Sequence, residues 1–265
     1  MFRCIDTKVN DAYFNMAVDE CLLESVSQGL SSPVLRFYGW NPPGLSLGYF
    51  QKVNSSVNVN FCKENNVSIV RRLTGGRTVL HSDEITYSII IPESHELASG
   101  SITSSYKNIS VGILEGLKKA GVPAEISLGS SKESRSSACF EATSKYEIVI
   151  NGKKIVGSAQ TRKKGCLLQH GSIVISLDLE FFSKMLCLNE SQRSLFLNGF
   201  REKASDIQTQ TGVKYERGVL IDGLKYGFEN FTNIELVDDE LSQSEMDRIN
   251  ILYDKYKSDE WTYLR

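Results

Sequence analysis

The chain has 265 residues, 41% of them hydrophobic, with a formal net charge of -2 and a pI near 6.0. That is enough chain for a sizeable core, and the charge balance excludes a global basic field for nucleic acid or an acidic tail. No run of about eighteen apolar residues occurs, and MFRCIDTKVNDAYFNMAVDE lacks a basic stretch leading into an apolar core, so the sequence reads as cytoplasmic, with no nucleic-acid or membrane partner.

In chain order, NMAVDECLLESV predicts a helix with Asn15 as N-cap and with Asp19 and Glu20 near the positive end of its dipole. LRFYGW, Leu35 to Trp40, predicts a strand. Asn41-Pro42-Pro43-Gly44 ends it, since proline has no amide hydrogen for a ladder, and LSLGYF resumes β-character. A short helix follows over Asn58 to Asn65, and Val67 to Arg72 reads as a strand leading into LTGGRTVLH. ITYSIII, Ile85 to Ile91, reads as a buried strand that Pro92 stops. Ile102, Tyr106, Ile109, Ile113, Leu117 and Ala120 form one apolar helical stripe, stopped by Gly121 with Pro123 beyond.

From Ile126 to Ser137 hydrophobicity collapses into a polar loop. Tyr146–Ile150, Lys153–Gln160 and Cys166–Ile175 then predict a three-stranded meander. Asn151-Gly152 supplies a type I′ turn, in which both central residues need positive φ, and Lys163-Lys164-Gly165 closes the second hairpin. After Asp178 the chain reads as mostly helical. Its last helix opens on the capping box Ser242-x-x-Glu245 and carries Met246, Ile249, Tyr253 and Tyr256 on one face. Strands before residue 176 and helices after it predict an α+β fold rather than an alternating doubly wound one.

Four features carry possible chemistry. In Arg71-Arg72-Leu73-Thr74-Gly75-Gly76-Arg77 the paired glycines let backbone amides approach a ligand and the arginines offer donors to a phosphate or carbonyl; a hairpin turn with solvated arginines fits as well. It is no P-loop, because no GK[ST] follows. Of the six cysteines, Cys4, Cys21, Cys62, Cys166 and Cys187 lie inside or at the start of predicted elements, and none forms a CxxC pair or a metal-ligand spacing with histidine. Cys139 sits in a polar loop with Arg135, as a nucleophilic thiolate requires, although a lone cysteine beside Phe140 reads more readily as an inert thiol.

Past the Asn-Gly turn, strand alternation puts Lys154, Val156, Ser158 and Gln160 on one face and Ile155, Gly157 and Ala159 on the other. Lys154 then points either into a pocket over small residues or into water, and Lys153 suits the solvated role better. His81 and His170 read as general bases or, at least as readily, as structural histidines near the sheet. Arg162, Lys163 and Lys164 either dock an acidic partner or form a solvated turn.

Together NMAVDECLL, LRFYGWNPPGLSLGYFQ, RRLTGGRTVLH, ITYSIIIP, GKKIVGSAQTRKKGCLLQHGSI and the late DEW resemble the biotin/lipoate protein ligase and octanoyltransferase family, over roughly Phe14 to Leu177. The resemblance implies a class II synthetase-like α+β fold with a mixed or antiparallel sheet and surrounding helices. It also implies a single catalytic domain over residues 1–265, mostly helical after about 178, without an accessory domain. By position, Cys139 resembles the acyl-thioester nucleophile and Lys154 the lysine of the K-x-x-G motif that contacts the acyl carbonyl. Arg72, Thr74, Gly75, Gly76 and Arg77 resemble the loop over the acyl chain, Gly157, Ser158 and Ala159 its opposite wall, and His81 and His170 complete the substrate-binding set.

The activity so implied moves octanoyl from acyl carrier protein to a lysine of a lipoyl-domain protein such as the glycine cleavage H protein. It needs no metal or cofactor, because thioester exchange is nearly thermoneutral and the amide product is more stable. Three alternatives share the motifs: an ATP- and magnesium-dependent lipoate-protein ligase, octanoyl transfer from H protein to other lipoyl domains, and a non-catalytic acyl-binding or biotinyl-binding module. Arg77 stands where ATP-using lipoate ligases typically have a third glycine, which favours the transferase.

Overall fold

The computed structural model describes residues 1–127 and 146–265, so Arg135, Cys139, Phe140 and the predicted polar loop beyond Ser127 lie outside the described residues. Its elements begin with β1 (Phe2–Asn10), α1 (Ala12–Ser27), β2 (Val34–Trp40), β3 (Gly44–Leu47), α2 (Val53–Ser56), α3 (Val59–Glu64), β4 (Ser68–Arg71), β5 (Val79–His81), β6 (Asp83–Pro92), α4 (Ile102–Lys119) and β7 (Glu125–Ser127). From residue 146 onward come β8 (Glu147–Ile150), β9 (Lys153–Lys154), β10 (Val156–Lys163), β11 (Cys166–Ser176), α5 (Leu179–Met185), α6 (Glu190–Lys203), α7 (Ile207–Thr211), α8 (Arg217–Phe231), β12 (Leu236–Asp239), α9 (Gln243–Lys257) and α10 (Asp259–Thr262).

The strands form a six-stranded sheet in the order β10-β11-β6-β2-β1-β12 and two three-stranded sheets, β4-β3-β5 and β7-β8-β9. The large sheet is mixed: β1 runs parallel to β2 and β12, and the other pairs are antiparallel. Alternation along its strands gives it two apolar faces. Leu35, Phe37, Ile85, Tyr87, Ile89 and Ile91 pack with Ile109, Ile113 and Leu117 of α4 and Leu224 and Phe228 of α8. On the other face Ile5, Val34, Tyr38 and Ile90 pack with Met16, Val18 and Leu22 of α1 and Ile249, Leu252 and Tyr256 of α9. A third cluster joins Leu45, Leu47 and Leu80 of the β4-β3-β5 sheet to Cys62, Phe182 and Phe200.

Four expectations change. The N-cap of α1 is Asp11, whose side chain accepts from the amides of Tyr13 and Phe14; Asn15 lies inside the helix, fully buried, and binds Gly39 O and Arg36 instead. Asp19 is therefore mid-helix and faces the sheet, away from the dipole's positive end. Ile102 opens α4 but is 65% exposed, so the apolar stripe begins one turn later. The predicted meander is two structures. β8 and β9 join the β7 sheet, whereas β10 and β11 join the large one, and Ile155 is the switch point: its N–H bonds Ile148 O and its carbonyl accepts from Val174 N.

The Asn-Gly hairpin is as expected, with Asn151 at φ 51° and Gly152 at φ 74°. The Ser242–Glu245 capping box is also present, although α10 rather than α9 is the last helix. No helix among the described residues is long and apolar enough to cross a membrane.

Candidate active site

A cleft with about 590 Å³ of space not filled by atoms, its mouth included, opens where the large sheet meets the β4-β3-β5 sheet. The β2, β6 and β11 strands supply Tyr38, Trp40, Thr86, His170 and Ser172, and Met16 of α1 closes one side. Ser46, Val79 and His81 line it from the β4-β3-β5 sheet, Arg72 and Gly76 from the loop between β4 and β5, and Lys154, Gly157, Ser158 and Ala159 from the stretch across the sheet switch. Small residues at the last three positions let the wall come close to whatever lies in the cleft. Gly171 beside them is obligatory: a Cβ there would sit 2.5 Å from Ser158 Oγ and 2.6 Å from Tyr87 Cε1.

Period-two placement puts Glu84, Thr86 and Ser88 on the same face of β6, and they join a buried polar chain beneath the cleft. Asp19 accepts from Arg36 Nη1 at 2.7 Å, Ser88 Oγ at 2.9 Å and Tyr38 OH at 3.0 Å, and lies 3.1 Å from His170 Nδ1. His170 Nε2 meets Thr74 Oγ1 at 2.7 Å; Thr74 also accepts from Arg72 Nε at 3.1 Å. Arg72 continues to Ser46 O and Oγ at 3.0 Å, and Ser46 Oγ meets His81 Nε2 at 2.8 Å. His81 Nδ1 ends the chain on Glu84 Oε1 at 2.8 Å, and Glu84 also accepts from Thr86 and Ser172. The His81 ring stacks on Trp40, centroids 4.0 Å apart.

The electrostatics of this chain choose its protons. Burial alone would raise the Asp19 carboxyl, but Arg36, His170 and Ser88 together outweigh it and hold it below the usual carboxylate range. Burial holds the His170 imidazole below its ordinary value, against the pull of Asp19, so the ring is neutral near pH 7. An ionised carboxylate only accepts, so Nδ1 carries the hydrogen and Nε2 accepts from Thr74. Both nitrogens of each histidine thus face protein partners. Both rings lie in the cleft wall.

The arginines also turn inward. Arg71, fully buried, bonds the carbonyls of Gly48, Tyr49, Gln51, Trp261 and Thr262, and Arg72 bonds those of Gly75 and Arg77 as well as Ser46. They fasten the Gly-Gly loop rather than standing as solvated turn residues. Lys154, only 9% exposed, extends to Glu147 Oε1 at 2.7 Å, whereas Lys153 Nζ reaches the Arg201 carbonyl at 2.6 Å.

Residues 11–229 match the model of the lipoyl protein ligase A/B catalytic domain. The chain belongs to this family. Its relatives there include the octanoyltransferase LipM of Macrococcus caseolyticus, 44% identical over 97% of this chain and 96% of that one. The octanoyltransferase LipM of Bacillus subtilis is 42% identical over 100% of this chain and 98% of its own. In fold the chain is similar to a bi-partite lipoate protein ligase of Thermoplasma acidophilum, at a TM-score of 0.82 with 24% identity over 99% and 96% of the two chains. It is also similar to a lipoate-protein ligase A bound with ATP, at 0.79 with 23% identity over 98% of each. The fold is the class II synthetase-like α+β one, and this member of the lipoyl protein ligase A/B family is an acyltransferase of protein lipoylation.

Within this family member the predicted site residues converge, but not as one shell. Lys154, Arg72, Gly76, His81, Gly157, Ser158, Ala159 and His170 line the cleft, Thr74 stands behind it on His170, and Gly75 and Arg77 contribute carbonyls that hold Arg72. Cys139 lies outside the described residues. Of the other cysteines, Cys4, Cys21, Cys62 and Cys166 are buried, while Cys187, expected within or at the start of an element, is exposed after α5. The residues that sequence reasoning passed over are Asp19, Ser46, Glu84 and Glu147. Glu84 had a signal: with Thr86 and Ser88 it makes an alternate polar face along a strand read as buried. Among the described residues, Arg162 bonds Glu93 and Ala98 O, and Lys164 pairs with Glu24, so those two cations of the turn have partners within the chain.

Proposed function

We propose that this acyltransferase takes octanoyl from octanoyl-acyl carrier protein onto Cys139 and passes it to a lysine of a lipoyl-domain protein, the glycine cleavage H protein first. The Cys139 thiolate attacks the donor carbonyl carbon, the bond to the carrier's sulfur breaks, and that thiol leaves with a proton. The acceptor's neutral amine then attacks the new thioester, the bond to Cys139 breaks, the departing sulfur takes up the proton the amine loses, and the amide forms. Neither step requires ATP, metal or cofactor, and both substrates are proteins of the cytoplasm.

The observation that supports this reading is Lys154, a buried cation lining a cleft whose adjoining wall is Gly157, Ser158 and Ala159. An ammonium there favours a thiolate beside it and donates to the carbonyl oxygen where negative charge develops. No described cysteine lines the cleft, and burial pushes the thiols of Cys21 and Cys62 up to about 11 and that of Cys4 up to about 12, the wrong direction for a nucleophile.

Mixing the protein with octanoyl-carrier protein should give an acyl adduct by intact mass that is absent in Cys139→Ala; an unchanged adduct in that variant rejects the nucleophile. Transfer to purified lipoyl domain, compared for octanoyl-carrier protein, octanoylated H protein, and free acid with ATP, tests the donor. Turnover only with free acid and ATP would make the protein a ligase.

A further inference from the structure

Lys154 poses a chemical problem that its neighbour resolves. The product of lipoylation chemistry is an acyl amide of a lysine, and a lysine amine already stands in the cleft. As a neutral amine, Lys154 would compete with the intended acceptor: its lone pair would attack the thioester carbonyl, the carbon–sulfur bond would break, the thiol would leave with the amine's proton, and a stable amide would remain. An ammonium has no lone pair and cannot take that route. Burial favours the neutral form of a lysine, so a site that holds one beside thioesters must oppose burial.

Glu147 is placed to do so. Its carboxylate, on a residue only 3% exposed, lies 2.7 Å from Lys154 Nζ. The hairpin sets this distance: Asn151-Gly152 turns β8 back on β9 with Val149 opposite Lys154, and the two-residue offset puts Glu147 on the side of the ladder that Lys154 shares. Tyr106 of α4 sits in the fields of both charges, its hydroxyl kept protonated by burial, so it adds no second negative charge. Desolvation offsets much of the attraction in a buried ion pair, so stability alone gives little account of this one.

We propose that Glu147 is a positioning residue that keeps Lys154 as an ammonium, aimed and charged for the acyl carbonyl but unable to be acylated itself. The proposal rests on the reading of Lys154 as an acyl-site residue. It makes the pair a device for acceptor selection: of two lysines that meet the thioester, only the incoming one is neutral.

The test incubates wild type, Glu147→Gln, Glu147→Asp and Glu147→Gln/Lys154→Arg with octanoyl-carrier protein, removes thioesters with hydroxylamine, and maps the remaining amide adducts by peptide mass. Glu147→Gln should accumulate octanoyl amide on Lys154 at least about tenfold faster than wild type, the factor given by one decade more neutral amine. The double variant should show none at residue 154. Glu147→Asp, which keeps the charge but draws it back by one methylene, should fall between; it carries the test if Glu147→Gln fails to fold. A folded Glu147→Gln without the adduct, or a wild type equally acylated on Lys154, overturns the proposal. Lys154→Met separates the two readings: full turnover in that variant rejects the acyl-site role of Lys154, whereas a folded, inactive Lys154→Met beside an unacylated Glu147→Gln rejects only the guarding role of Glu147.

Discussion

Two tandem pairs of cations, Arg71-Arg72 and Lys153-Lys154, each send one member into the cleft wall, and each pair divides its labour the same way. One member ties distant backbone together: Arg71 joins the 48–51 loop to the carbonyls of α10, and Lys153 joins the hairpin tip to α6. The other lines the cleft. The inward members differ in kind, however. Arg72 is a planar fork held by Ser46, Thr74, Gly75 and Arg77, so it fixes the shape of a wall. Lys154 is a compact charge whose state depends on a carboxylate next to it. One side of the cleft thus rests on shape and the other on charge.

The largest expected effect lies on the arginine side. Arg71→Met removes the donors for a set of buried carbonyls and should lower stability by about 3–5 kcal/mol, read from denaturant midpoints. A loss below about 1 kcal/mol would remove Arg71 from the scaffold. On the lysine side, Lys154→Met should lower the transfer rate by about 10²–10³, the usual cost of one lost donor at a developing oxyanion. It also takes the ammonium away from the buried Glu147 carboxylate, so stability should fall as well. Adding Glu147→Gln should recover the stability and leave the rate low; recovery of both would mean that the lysine acts only through the fold.

A smaller effect comes from the wall behind Arg72. The His170 imidazole is held by burial below its ordinary value of 6.5, so on acidification the unfolded chain binds its proton first. Its contribution is complete above about 6.5 and is lost as pH falls, at no more than about 1.4 kcal/mol per pH unit for one proton. Asp19, held below 3.8, extends the same trend at lower pH, and His95, lowered mainly by its own burial, adds to the first part. Melting temperature should therefore drop as pH falls from 7 to 5, and less steeply in His170→Gln. An equal slope in that variant would show that His170 does not contribute.

The sequence made local structure legible and long-range pairing much less so. The Asn-Gly turn, the β6 strand and the α4 helix follow from spacings of a few residues, whereas the choice of Lys154 over Lys153 needs the K-x-x-G resemblance besides strand alternation. Asn15 misled because a good capping residue was needed elsewhere, on Arg36 and Gly39 O from inside the helix. The sheet switch at Ile155 is hidden because Lys153–Gln160 reads as one alternating strand; only its partners elsewhere in the chain assign its halves to different sheets. Likewise β12 pairs in parallel with β1 across more than two hundred residues, a contact that no periodicity reports. The cleft's polar floor was half visible. His170 and Thr74 stood out as residues, but their connection runs through Asp19, which reads locally as a charge near a helix start.

The smallest expected effect is the most specific check on the division of labour. Lys153 touches the Arg201 carbonyl through one hydrogen bond at the protein surface, where water replaces a lost partner at little cost. Lys153→Ala should change stability by no more than about 0.5 kcal/mol and leave the transfer rate at the wild-type level, although it alters the residue next to Lys154 in the same two-residue strand. A tenfold fall in rate with an unchanged denaturant midpoint would put Lys153 in the site. The hairpin would then present both lysines to the acyl group, and Glu147, which pairs with Lys154, would leave the second amine to be held as an ammonium by something else.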